Sequence, residues 1–204
     1  MAVIHVRNVG IVSVINRRRK MQVESDNVLF IGIDPGKNGA LAWAKWQSNE
    51  GIIAYGTFRY PNDKDKIESI LKLSNLLYGL MFSDPDYKEI VVYMENVWAM
   101  PGDGKTSGAN FMYNVATWDT MLTIYDIKIN KVIPRTWQKH LNVPTKKEFG
   151  TKVVKGKKYT VKHLLRDEIA PYIMPDEKVT LINADAICIC KYGMDKWLAK
   201  LNGK

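Results

Sequence analysis

The chain has 204 residues, 46% of them hydrophobic, which is enough for one domain of moderate size and too apolar for a chain that stays unfolded. Thirty Lys and Arg against 21 Asp and Glu leave a formal net charge of +9, and an excess of that sign favours a polyanionic partner. No apolar run approaches the roughly 18 residues that span a bilayer, and the first stretch lacks the unbroken apolar core of a secretory signal, so a soluble protein without a membrane partner is expected. The only cysteines, Cys188 and Cys190, stand two apart in an expected helix and point to different faces. That spacing suits neither a disulfide nor a metal clip, and a reducing compartment follows.

Residues 1–26 precede the first packed pattern and carry a basic cluster at Arg17 to Lys20. They are expected to form a leader outside the folded domain, read as a disordered segment, a DNA-contacting arm or a start assigned ahead of Met21, with an organelle presequence as the weaker reading. From Val28 the pattern is strand, turn, strand: "VLFIGID", then "GALAWAKW", then "GIIAYGTFRY", a three-strand meander. Residues 63–82 place Ile67, Ile70, Leu71, Leu73, Leu77 and Leu80 at mostly helical spacing, which predicts an amphipathic helix. "EIVVYMENV" reads as a buried strand, residues 109–127 as a helix, "KINKVIP" as a further strand and residues 135–141 as a short helix. Residues 142–158 hold six lysines and little core, hence a basic loop or short hairpin. "YTVKHLLRDEIAPYIM" and "INADAICICKYGMDKWLAK" read as two closing helices, with Asn183 placed to cap the last one.

Three acids occupy related places. Asp34 ends the first strand, Glu95 lies close to the end of a later one, and Asp185 falls in the first turn of the final helix. If the strands are neighbours, the three carboxylates converge, and clustered carboxylates repel one another unless a cation neutralises them. Mg²⁺ or Mn²⁺ prefers such hard oxygen ligands and keeps coordination places for water and phosphate. The constellation suggests metal-assisted phosphodiester hydrolysis, with two ions about 3.5–4 Å apart and Asp34 as the bridge between them. Taken singly, each acid has a plain structural explanation: a turn cap for Asp34, a lysine partner for Glu95, a helix amino terminus for Asp185.

Four segments in order, "IGIDPGKNGALA", "YMENVWAMPGDGKTSGANF", "VIPRTWQKHL" and "NADAICICKYG", resemble the RuvC-type Holliday-junction resolvases, in particular their phage and bacterial branch, over roughly residues 28 to 195. The resemblance implies an α/β ribonuclease H-like fold, with a mixed central sheet whose three-strand antiparallel meander is flanked by helices. It makes residues 27–204 one nuclease domain that carries the basic loop 142–158. It also implies a homodimer that nicks branched DNA at four-way junctions with Mg²⁺ or Mn²⁺, in the cytoplasm or nucleoid, the host's if the chain is phage-encoded, with an organelle as the weaker alternative.

Carried over by position, the catalytic and metal-binding acids are Asp34, Glu95 and Asp185. Many relatives add an Asp or His three positions before the last acid, where this chain has Ile182, so a fourth ligand is left open between Asn183 and none. Trp98, three beyond Glu95, matches an aromatic that stacks at the opened junction centre, and a partly buried core aromatic is its plain alternative. Lys105 of the "MPGDGKTSG" loop, with Thr106 or Ser107 placed to cap the next helix, and Lys139, Lys155, Lys157 and Lys158 are expected DNA contacts. Such contacts neutralise phosphates without reading sequence. Two other readings compete. The actin-like and sugar-kinase ATPases share the core and an "IGID-x-G" start, but no second Gly-rich phosphate loop is present. Ile182 also allows a junction-binding protein that does not cut.

Overall fold

The computed structural model describes residues 27–36, 38–61, 63, 65–82, 87–98, 104–150, 152–154 and 156–203, apart from the side chain of Lys105. Its centre is a five-stranded mixed sheet. Strands β1 (Asn27–Asp34), β2 (Ala40–Gln47) and β3 (Gly51–Arg59) form the antiparallel meander, while β4 (Tyr87–Glu95) runs parallel to β1 and β5 (Ile129–Val132) parallel to β4. The strand order is β3-β2-β1-β4-β5, so β1 and β4 lie side by side at the centre. A central strand covered on both faces needs an almost continuous apolar run, and Val28 to Ile33 supply it, interrupted only by Gly32.

Alternation along these strands divides the core in two. Leu29, Ile31 and Ile33 of β1 and Val92 and Met94 of β4 face α1 (Lys66–Phe82) and α2 (Lys105–Ile124), packing with Leu73, Leu77, Trp118 and Leu122. On the opposite face, Phe30 and Val91 pack with α7 (Ala184–Leu201) and with Trp137 of α3 (Pro134–His140). Helix α7 lies almost on the strands: a Cβ on Gly32 would overlap the backbone of Ala186 and Cys190, so only glycine permits this approach. Phe30 meets Trp197 with ring centroids 5.5 Å apart, so α7 runs back along β1 and its first turn lies at the strand's carboxyl end.

The lysine-rich stretch is more ordered than a loop. A single turn, α4 (Lys146–Phe149), opens on a capping box between Thr145 and Glu148, and a two-stranded hairpin follows, β6 (Lys152–Val154) and β7 (Lys157–Tyr159). The helix expected after it is α5 (Val161–Leu164), a π-helical turn over Leu165–Ile169 and α6 (Ala170–Ile173). Pro171 explains the break, since it has no N–H and its ring would strike the carbonyl four residues back, so the ladder widens before it.

Two expectations change. Helix α2 begins at Lys105 rather than near residue 109, because Gly104 takes the position before it; Thr106 and Ser107 therefore sit inside the helix and do not cap it. Of the α1 residues at helical spacing, Leu73 and Leu77 are buried, whereas Ile67 and Leu71 are exposed. Cys188 and Cys190 are both free and both buried, because α7 is enclosed on most sides over its first half. No helix among the described residues is long and apolar enough to cross a membrane. The expected leader 1–26 and Lys155 fall outside the described residues.

Candidate active site

The parallel pairing of β1 with β4 places Ile33 beside Met94, and the next residue on each strand is an acid, Asp34 and Glu95. Ile33 and Met94 point to α1 and α2, so the residue after each points to the α7 side. There Asp185, 8% exposed in the first turn of α7, stands over the strand ends. Residues separated by 61 and 151 positions from Asp34 thus meet at one end of one sheet face.

Each carboxylate is held by a protein donor. The backbone N–H of Gly36 donates to Asp34 Oδ1 at 3.1 Å, and the tight turn continues with Gly39 N–H to Gly36 O at 2.8 Å. A Cβ at Gly39 would overlap the Asp34 carbonyl, so the turn that fixes the acid depends on a glycine there. Trp137 is fully buried, and its indole N–H finds its acceptor in Glu95 Oε1 at 2.9 Å. A buried tryptophan needs such a partner, and here the bond also orients the acid. Asp185 Oδ2 lies 3.1 Å from the ammonium of Lys162.

Burial first, and then the charge of Asp185, pushes the Asp34 carboxyl up to about 6, against the lowering effects of the Gly36 hydrogen bond and Lys162. For Glu95 burial and the charge of Asp34 push it to about 8, opposed by Trp137 and Lys162. The three acids therefore interact through a poorly solvated space. Burial disfavours the charge on Lys162, but Asp185, Asp34 and Glu95 together outweigh it and raise its pKa. The donor set is hard oxygen throughout and suits Mg²⁺ or Mn²⁺. In this arrangement no three acidic, His or Cys side chains among the described residues converge tightly enough to enclose an ion. Asp34, Glu95 and Asp185 are the residues that would hold one.

Lys162 and Trp137 are the site residues that sequence reasoning missed. Trp137 belongs to the "PRTWQK" segment already singled out, but its partner lies 42 residues away. Lys162 carried no local signal: it is exposed on α5, and only its pairing with Asp185, 23 residues on, brings it to the site. Asn183 precedes α7, but its side chain caps nothing and cannot supply a ligand. Its Oδ1 accepts from Thr180 N–H and Thr180 Oγ1 at 2.7 and 3.0 Å, while its Nδ2 donates to Thr57 Oγ1 and Lys178 O at 3.0 and 3.1 Å. Ile182 packs against the core.

The other expected contacts are spread over several elements. Trp98, three residues beyond Glu95, is 57% exposed and so is not a core aromatic. Lys139 is exposed on α3 and lines a cavity of about 500 Å³ with Arg135, Gln138 and Thr145. Lys157 and Lys158 are exposed on β7, and Lys158 shares with Lys146 and Lys162 the lining of a cleft of about 420 Å³. Lys105 opens α2.

Neither a family model nor a curated protein sequence matches the chain. Solved structures similar to it include Thermus thermophilus RuvC, both alone and in complex with a Holliday junction substrate. Each has 10% identity and a TM-score of 0.52 over 85% of this chain and 96% of the RuvC chain. The likeness shows a shared fold, the ribonuclease H-like fold of RuvC.

Proposed function

We propose that this protein is a structure-selective endonuclease that cuts four-way DNA junctions, with Asp34, Glu95 and Asp185 holding a catalytic divalent cation, Mg²⁺ or Mn²⁺. The observation that carries the reading is the meeting of these three carboxylates at one end of the sheet, on a fold shared with a protein solved with a Holliday junction. When bound, the cation supplies Lewis-acid activation for phosphodiester hydrolysis. The chain's own contribution is to hold the reacting groups. The Gly36 N–H and the rigid strand fix Asp34, Trp137 orients Glu95, and Lys162 offsets the mutual repulsion of the acids.

The exposed lysines 139, 157 and 158, together with Lys105 and Lys155, would take phosphates of the junction arms, which explains the excess of basic residues. Trp98 would stack on a base opened at the junction centre, a contact worth about 1–3 kcal/mol. Paired cuts on a symmetric junction call for a symmetric enzyme, and α1 offers a surface for a second copy: Ile67, Leu71, Tyr78 and Phe82 lie at helical spacing on its exposed side. An ATPase would leave the Trp137–Glu95 bond without a role.

The test is cleavage of labelled four-way junctions, linear duplex and RNA–DNA hybrid in Mg²⁺, alongside sedimentation of the protein. Paired nicks in the junction by a dimer are expected. Preferential cutting of the hybrid would replace the reading with a ribonuclease H activity, and tight junction binding without cutting would leave the non-catalytic junction binder.

A further inference from the structure

We propose that Lys162 stands in for a second cation at this site, so that the protein free of DNA binds one divalent ion per chain where the sequence led us to expect two. The inference rests on reading the three carboxylates as a cation site, and it concerns how many ions that site accepts.

The first argument is a count of donor atoms. One oxygen of each carboxylate is already engaged: Asp34 Oδ1 by Gly36, Glu95 Oε1 by Trp137 and Asp185 Oδ2 by Lys162. Among the described residues no other protein group takes the second oxygen of any of them. Asp34, Glu95 and Asp185 would each offer one oxygen to a single hard cation, which would leave places for water. A second ion would have to share oxygens with the first, and the Asp185 oxygen it would share is occupied by an ammonium. Neither residue just before α7 adds a ligand, because Ile182 is apolar and packed while both ends of the Asn183 amide are committed.

The second argument is charge. Three carboxylates and one ammonium leave two negative charges, which one divalent ion matches. A second ion would leave an uncompensated positive excess at a poorly solvated place, which is unfavourable without a further anion. Lys162 is built to stay. Its backbone belongs to the first turn of α5, directly after the hairpin, and its ammonium reaches Asp185 Oδ2 at 3.1 Å while 63% of the side chain remains exposed. Unlike a metal ion, it cannot be stripped by a chelator, so the acids keep a counter-charge in every state of the protein.

The test is a Mn²⁺ titration of the metal-stripped full chain, with unbound Mn²⁺ counted by electron paramagnetic resonance. The wild type is expected to bind one ion per chain, Lys162→Met two, and Lys162→Arg one. Two ions on the wild type overturn the proposal, as does a single ion on a folded Lys162→Met protein. If Lys162→Met does not fold, the wild-type count decides alone. Junction cleavage by the same preparations separates this inference from the nuclease reading. A cutting wild type with two ions overturns only the inference, a wild type with one ion and no cleavage overturns only the nuclease, and a protein that binds no Mn²⁺ overturns both.

Discussion

The two faces of the central sheet are built from alternate residues of the same strands, yet they differ in kind. Toward α1 and α2, β1 and β4 present Leu29, Ile31, Ile33, Val92 and Met94, and these strand positions carry only apolar side chains. Toward α7, the same strands present Phe30, Gly32, Asp34, Tyr93 and Glu95, where glycine admits the helix backbone and acids replace apolar side chains at the strand ends. The first face serves stability. The second gives up apolar area near its end to hold charged groups in fixed positions, and it offsets their cost with Gly36, Trp137 and Lys162.

The sharpest way to break the contrast is Gly32→Ala. Its Cβ has nowhere to go except into the α7 backbone, so α7 must move, carrying Asp185 with it. A stability loss beyond about 4 kcal/mol is expected, at the upper end for single substitutions, with cleavage lost as well. Denaturant unfolding that is near wild type would show that α7 can shift at little cost.

Next come the acids themselves. Asp34→Asn, Glu95→Gln and Asp185→Asn are each expected to lower junction cleavage by more than about a hundredfold, the upper range for changes one shell further out from a metal. Junction affinity in gel-shift assays should hold, since no phosphate contact is removed. Near-normal cutting by any one of them removes that residue from the site. On the other face, Leu77→Ala should do the reverse: a loss of about 2–5 kcal/mol in stability with cleavage per folded molecule unchanged. If Leu77→Ala slows cleavage in a protein still folded at the assay temperature, the division of labour between the faces is wrong.

The smallest effect is on pH dependence without metal. Asp34 and Glu95 have folded-state values of about 6 and about 8, above their ordinary 3.8 and 4.5, so the native state holds protons that the unfolded chain has released. Their contribution to stability is complete below about pH 4 and is lost as pH rises through those folded values. In EDTA the melting temperature should therefore fall between pH 5 and 8.5. Asp63, Glu148 and Asp167 are shifted downward, so their contribution is already constant in this range. Glu95→Gln should flatten the slope, and Mn²⁺ should abolish it by favouring the ionised acids. A profile that is level in EDTA would show that the acids are well solvated.

How much of this could be read beforehand differs between elements. The strand β1, its acid and its turn were legible because an apolar run followed by Asp, Pro and Gly has few local alternatives. The α1 face was misjudged for a related reason: Ile67 and Leu71 satisfy helical spacing as well as Leu73 and Leu77 do, and only the position of the sheet selects which pair is covered. The start of α2 was placed late because Lys105 to Gly108 carry no apolar period, although they are helical.

The chain by itself therefore determined its strands, most of its helices and the three acids, because these depend on period and on residue type over a few positions. The tertiary structure decided which acids share a face, that Trp137 reaches Glu95, that Lys162 pairs with Asp185 in the cluster, and that the Asn183 amide is bound to Thr57 instead of facing the site. Each of these is a contact between residues from 23 to 151 positions apart. Such contacts are set by strand register and by the closeness of α7 to β1, which no local pattern encodes.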